Sequence, residues 1–179
     1  MAINLSARCL GGKGAGLVSR ACKMAMADGR RGRLVIEMTE TAFIERISET
    51  QKMLEELRRS GAAIAVDDFG TGYSSLAYLQ RLPLDKLKID RSFVGELFED
   101  RTSRDIVAAI ITLAKSLDLV TVAEGVETQE QRRLLATLGC DLLQGFLISR
   151  PLPLDEMLRW LERDRADGAG GITQPPPAA

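Results

Sequence analysis

Six short apolar runs recur along the chain, and each ends in a side chain able to hold a cation or a phosphate. In order, the runs end at Asn4, at Glu37, at Asp67 with Asp68, at Lys88 with Asp90, at Glu124, and at Gln144. Between them the apolar residues change to helical spacing. Leu17, Val18, Ala21, Met24 and Ala25 share one face, as do Ile106, Ile110, Leu113 and Leu117. Met53, Leu54 and Leu57 form a third such face, and Leu134, Leu135 and Leu138 a fourth. Strands alternating with helices imply parallel pairing through crossover helices. A doubly wound sheet gathers its site at one crevice. A polar group at every strand end is instead the pattern of a (β/α) barrel, whose chemistry sits at the C-terminal mouth. Helix capping does not account for all six, because Glu and Gln are poor N-caps. Ser48 with Gln51 and Thr128 with Gln131 already have capping-box spacing.

The central run is Ala62 to Val66, wholly apolar and bounded by Gly61, which reads as a strand buried on both faces. Two adjacent acids follow, Asp67 and Asp68, and then a loop with Gly70 and Gly72. Two carboxylates at the end of a buried strand repel each other and cost desolvation, which a metal ion or cationic ligand offsets. An N-cap Asp beside a solvated Asp is the bland alternative. Leu34 to Ile36, Leu84 to Ile89, Val120 to Ala123 and Asp141 to Leu143 read as further strands, and Leu154 to Leu161 as a closing helix with Trp160 in the core. The Gly-rich segment 11–16 reads as a flexible connection. It is no P-loop, since no Lys-Ser/Thr pair follows its last glycine.

The chain has 179 residues, 45% of them hydrophobic, and a net charge of −1, which fits one globular domain with a real core. Seven Lys/Arg against the single acid Asp28 fall in residues 1–33; a solvated helix face explains them, and a field attracting an anion is the sharper alternative. Histidine is absent, which excludes His-based triads and His-ligated zinc. Three cysteines, Cys9, Cys22 and Cys140, show no metal-ligand spacing and point to a reducing compartment. With no signal peptide and no long apolar window, a cytoplasmic location is expected, with no membrane segment and no DNA partner.

Asn, Glu and Asp oxygens without His or Cys select a hard cation, Mg²⁺ or Mn²⁺. Several carboxylates in one mouth suggest two ions ~3.5–4 Å apart, as in enzymes that hydrolyse phosphate esters. Lys88 then supplies positive charge to a phosphate or a metal-bound hydroxide, and Glu124 remains as a general base. Asp68-Phe69-Gly70 matches the kinase metal motif, but a His-Arg-Asp loop is missing. Gly70-Thr71-Gly72 is no dinucleotide fingerprint, because the two acids before it would repel a pyrophosphate. Proton abstraction by a lysine in a Mg²⁺ barrel fits the same spacing, which does not separate it from phosphodiester hydrolysis.

The segments NLSARCL, IEMTET, DDFGTGYSSLAYLQRLPLDKLKIDRSFV, VAEGVET and GCDLLQGFLISRPLP closely resemble the EAL domain family, bacterial phosphodiesterases specific for cyclic di-GMP. The likeness runs from Ala2 to about Pro153. It implies an α/β fold, a TIM-like (β/α) barrel of the EAL type, that opens cyclic di-GMP to linear pGpG with Mg²⁺ or Mn²⁺. By motif, Asn4, Glu37 and Asp67 resemble metal ligands and Asp68 a ligand of a second metal. Lys88 resembles the lysine that contacts the attacking water, and Glu124 the general base. Glu40 resembles the residue anchoring the DDFGTG loop, which the family also uses for dimerisation, here residues 68–75. Asp90, Glu127 and Gln144 match further site positions.

One departure is serious: no Glu-Ala-Leu tripeptide occurs in the chain. In the family it lies on a strand upstream of the Asn4 strand and supplies another metal-ligating Glu. Six strands also fall short of the eight, and of the ~250 residues, usual in such barrels. The expectation is therefore a partial EAL domain over 1–164, about six of eight βα units, with a disordered tail over 165–179. It would follow an upstream sensory or regulatory domain, and alone be weakly active and reluctant to stay monomeric. A non-catalytic cyclic di-GMP binding or interaction module is the alternative.

Overall fold

The computed structural model describes residues 2–6, 13–27, 34–40, 47–71 and 79–166. Among them six strands form one sheet: β1 (Ala2–Asn4), β2 (Val35–Thr39), β3 (Ala63–Phe69), β4 (Lys86–Ile89), β5 (Val120–Ala123) and β6 (Leu142–Leu143). Their order in the sheet is their order in the sequence, and every pair is parallel. No switch point interrupts that order, so the sheet is a partial (β/α) barrel and not a doubly wound one. The helices are α1 (Lys13–Ala27), α2 (Ile47–Arg59), the short α3 (Arg91–Gly95), α4 (Arg101–Ser116), α5 (Gln129–Leu138) and α6 (Leu154–Ala166). None is long and apolar enough to cross a membrane.

Period-two alternation divides the sheet into two faces. Ile36, Met38, Ile64, Val66, Leu87 and Ile89 lie on one face, all essentially sealed from solvent with Leu54, Leu57, Val107 and Ile111 from the helices. The other face carries Glu37, Asp67 and Lys88, with Glu124 next in step beyond β5. The core is thus the layer between sheet and helices, and the polar residues face the barrel interior.

At the N-terminal ends of the strands one device appears twice. Asp85, just before β4, accepts a hydrogen bond from the Ile64 amide of β3 at 2.9 Å and faces Arg58 at 3.6 Å. Asp141, just before β6, accepts from the Thr121 amide of β5 at 2.8 Å and from its hydroxyl at 2.6 Å. Each carboxylate fixes the start of a neighbouring strand, and with it the register that places the site at the other end.

Several sequence expectations are corrected. Ser48 lies inside α2, so Ser48 and Gln51 are no capping box; Gln51 instead donates to Glu55 one turn on. The Thr128–Gln131 box is present in full, and α5 closes on Gly139 at φ 83°. Helix α1 starts at Lys13, taking in part of the segment read as a flexible connection. Its apolar stripe is not an inner face: Leu17 and Met24 are 66% and 73% exposed, while Val18 packs against the core. Strands β2 and β3 continue past Glu37 and Asp67: the ladder pairs Thr39 with Asp67, and Phe69 with Ile89. Helix α4 begins at Arg101, where Asp100 caps the Thr102 and Ser103 amides. Trp160 is only half-buried and stands outside the core cluster. Helix α6 runs to Ala166, two residues into the expected tail; the rest of that tail lies outside the described residues, as does the second half of the 68–75 loop.

Candidate active site

Among the described residues, the sheet's inner face carries one buried cation. Lys88 reaches from β4 to three carboxylates: Glu124 Oε1 at 2.6 Å, Asp67 Oδ1 at 2.9 Å and Glu37 Oε2 at 3.0 Å. Its side chain is 7% exposed, so the apolar strand carries it into the mouth and not onto the surface. Burial alone would lower its pKa, but the hydrogen bonds it donates to Asp67, Glu124 and Glu37 outweigh that and hold the ammonium above its ordinary value. Glu124 is shifted up: burial favours its neutral form, Lys88 opposes this, and the Asp67 and Glu37 charges add to the rise.

Asp68 poses a geometric problem, since adjacent strand residues point to opposite faces. A register shift between β3 and β4 at Val66/Phe69 resolves it, with Asp68 at φ 53°. Such a bulge adds a residue to one strand and re-aims its side chains. As a result Asp67, Asp68 and Glu124 each offer an oxygen within 4.8 Å of the others. Burial, then the neighbouring Asp67 and Asp90 charges, raise the Asp68 pKa. Asp90 goes the other way. Burial would raise it, but hydrogen bonds from the Ser92 hydroxyl and amide prevail and lower it. Asp90 is also the N-cap of α3, so a short helix absent from the sequence reading sets its position. The signal for it was present, as a Ser two residues after an Asp is a capping pattern.

The remaining sequence candidates lie around this cluster. Asn4 is exposed on β1 and pairs in register with Glu37. Glu40 is buried just beyond β2, and its two carboxylate oxygens find no hydrogen-bond partner among the described residues. Glu127 is exposed at the start of α5, its amide donating to Gln131 at 2.8 Å. Gln144 is exposed at the end of β6, its backbone bonded to Ala123 and Val126. No side-chain hydrogen bond among the described residues joins Glu40, Glu127 or Gln144 to Lys88 or its three carboxylates. After Gln144, a Cβ on Gly145 would meet the Val126 carbonyl oxygen at 2.2 Å, so only glycine brings this loop against the one after β5. Sequence reasoning missed Phe146, whose ring carries the Arg150 guanidinium at 4.5 Å on the same rim.

The donors are all oxygens, and carboxylates clustered at this spacing fit a hard divalent cation. A parallel βα barrel with acids and one lysine converging at its C-terminal mouth defines a class of hydrolytic and metal-assisted barrel enzymes. Residues 1–151 match the EAL domain model, and the chain belongs to that family. It is 49% identical over 136 residues to cyclic di-GMP phosphodiesterase NbdA of Pseudomonas aeruginosa, covering 76% of this chain and 17% of that protein. Among solved structures it resembles the MucR phosphodiesterase of the same organism in complex with c-di-GMP, with TM-score 0.79 and 44% identity over 87% of this chain and 63% of that one. A manganese/cyclic di-GMP complex of Klebsiella pneumoniae BlrP1 matches with TM-score 0.72 and 38% identity over 84% of this chain and 38% of that one. The chain spans less than a fifth of NbdA's length.

Proposed function

We propose that this chain forms the larger part of an EAL phosphodiesterase domain that hydrolyses cyclic di-GMP to linear pGpG with Mg²⁺ or Mn²⁺. The observation that carries the reading is Lys88 held among Glu37, Asp67 and Glu124 in a chain of this family. Asp67, Asp68 and Glu124 offer the clustered oxygens for a cation, with Glu37 beside them and Asn4 in register with Glu37. When bound, such an ion supplies Lewis acidity to a phosphoryl oxygen and to water.

The chain's own groups do the rest. Glu124 takes the proton of the attacking water, since a carboxylate has lone pairs to spare beyond the one engaged by Lys88. The water oxygen bonds to phosphorus, the bond from phosphorus to the ribose 3′ oxygen breaks, that oxygen takes a proton from solvent, and Glu124 returns the proton it took to solvent. Lys88 holds positive charge beside the phosphoryl oxygens, where negative charge grows. Glu40 supports the loop after β3, while Asp90, Glu127 and Gln144 line the site for substrate. The same reading places residues 1–164 in the domain, with α6 running on to Ala166, and the remainder up to residue 179 in a tail. It puts the protein in the cytoplasm, behind a sensory or regulatory domain, with a homodimer contact through residues 68–75.

Incubating the chain with cyclic di-GMP and Mn²⁺ and separating the nucleotides tests the proposal. Formation of pGpG is the expected result. Nucleotide binding with no cleavage at any Mn²⁺ concentration would overturn hydrolysis in favour of a binding module.

A further inference from the structure

Lys88 contacts oxygens of the same carboxylates that a divalent cation would use. Asp67 and Glu124 belong to the acidic trio, and both also accept from the Lys88 ammonium, at 2.9 and 2.6 Å. Glu37 is held by the same nitrogen at 3.0 Å. An ammonium is a compact point charge with three donors and no acceptor, and here each donor has a carboxylate. It already does what a cation does in this place: it offsets the mutual repulsion of buried acids.

We infer that Lys88 is a built-in competitor for the divalent cation, setting how tightly the site loads, in addition to any contact with water or phosphate. This rests on the metal-dependent reading above. A cation taking ligands from Asp67 and Glu124 must draw electron density, and in part geometry, away from the ammonium. It must also bind close to a fixed positive charge. Both effects weaken loading, and they act through the low-dielectric interior where charges a few ångströms apart are poorly screened. Selectivity follows as well. A monovalent ion gains little over the resident ammonium, whereas a divalent ion brings twice the charge to the same acids.

The opposite sign is the ordinary expectation. If Lys88 only organised the carboxylates, its removal would let them splay and cation binding would weaken. The two readings therefore separate on the direction of change in one measurement that needs no turnover. Chelator-stripped chain is titrated with Mn²⁺ alone, and free Mn²⁺ is read from its paramagnetic resonance signal. Lys88→Met is expected to bind Mn²⁺ about tenfold more tightly or better, the size of a strongly felt neighbouring charge. Lys88→Arg, which keeps the charge, is expected not to tighten. Lys88→Met should also lose thermal stability in chelator and regain it with Mn²⁺, because the ion replaces the lost counter-charge.

Equal or weaker Mn²⁺ binding by Lys88→Met, with normal binding by the unaltered chain, would overturn the competition and leave the metal reading intact. No Mn²⁺ binding by either protein would overturn both. Binding by the variant alone would support the competition in its strongest form. Should Lys88→Met not fold in chelator, recovery of the fold on adding Mn²⁺ supports the proposal, and Lys88→Gln repeats the titration with a polar neutral side chain. Failure of both variants to fold with or without Mn²⁺ would show Lys88 to be structural, and would overturn it.

Discussion

Glu124→Gln separates catalysis from structure at this site, because the substitution keeps shape and removes charge. Glu124 contributes a charge-assisted hydrogen bond to Lys88 at 2.6 Å, and its side chain is only 19% exposed. Losing such a bond costs ~1.5–3 kcal/mol. Part of this returns, since the substitution removes the repulsion of Glu124 by Asp67 and Glu37, and Lys88 keeps both of those partners. The net loss of stability is about 1–2 kcal/mol, a fall in Tm of about 2–8 °C for a chain of this size. The effect on turnover is larger. Removing a general base costs ~10²-fold or more in kcat, equivalent to ~2.7 kcal/mol on the barrier. Affinity for cyclic di-GMP, measured by calorimetry at saturating Mn²⁺, should change little, because the amide still fills the space and keeps one oxygen for the cation. Rates are followed with radiolabelled nucleotide, and melting is followed in parallel. If affinity collapses while the bound nucleotide still turns over at the original rate, Glu124 binds and does not catalyse. If activity falls only in step with unfolding, it is a structural residue.

Further outcomes follow from the same geometry. Asp67→Ala removes a trio member and a Lys88 partner, so Mn²⁺ binding in a calorimetric titration should be lost; unchanged binding would sink the metal assignment. Asp141→Ala removes both carboxylate bonds to Thr121, leaving the bond from the residue's own amide to the Thr121 hydroxyl, and should cost ~1 kcal/mol by chemical denaturation, after discounting for exposure. The Thr121 hydroxyl and amide lower the Asp141 pKa. Its contribution to stability is therefore present above the ordinary value of 3.8 and is lost as pH falls through the lower folded value; Asp141→Ala should flatten that acid limb. Strands β1 and β6 each pair on one side only among the described residues, and Ile3 and Leu142 are 41% and 43% exposed. Self-association of residues 1–165 in solution is expected from such edges; a stable monomer by light scattering at high concentration would refute it.

The architecture was legible because it rests on local patterning. Buried runs such as Ala62 to Val66 and helical stripes such as Met53, Leu54 and Leu57 report their surroundings directly, since burial on a parallel sheet leaves no polar positions to obscure the period. Helix α1 misled for the same reason in reverse: Leu17 and Met24 have the right spacing, but spacing does not say whether a neighbour covers the stripe. The Ser48 box failed because capping-box spacing is common inside helices, and only the backbone says which residue stands at the end. Lys88 and its acids could be assigned to one mouth from strand position alone. That one nitrogen would contact Glu37, Asp67 and Glu124 together could not, because it depends on the register of four strands.

Asp68 shows how backbone and chemistry depend on each other here. A regular strand would send Asp67 inward and Asp68 toward the packed helices, where an unpaired carboxylate is costly. Holding a non-glycine residue at φ 53° costs on the order of 1 kcal/mol, less for Asp than for most residues. That cost is far smaller than burying the carboxylate in the core. The bulge is therefore the cheaper of the two conformations open to this sequence. Its consequence is that two consecutive residues present oxygens to one point, with Glu124 as the third. The strain also explains where the pairing between β3 and β4 breaks: Ala65 and Val66 keep the register below the acids, and Phe69 resumes it opposite Ile89 above them. Phe69 is 4% exposed, so its burial anchors the chain immediately after the irregular residue and fixes the direction in which Asp68 points. Two apolar anchors flanking the acidic pair thus set the site's geometry before any ligand contributes to it.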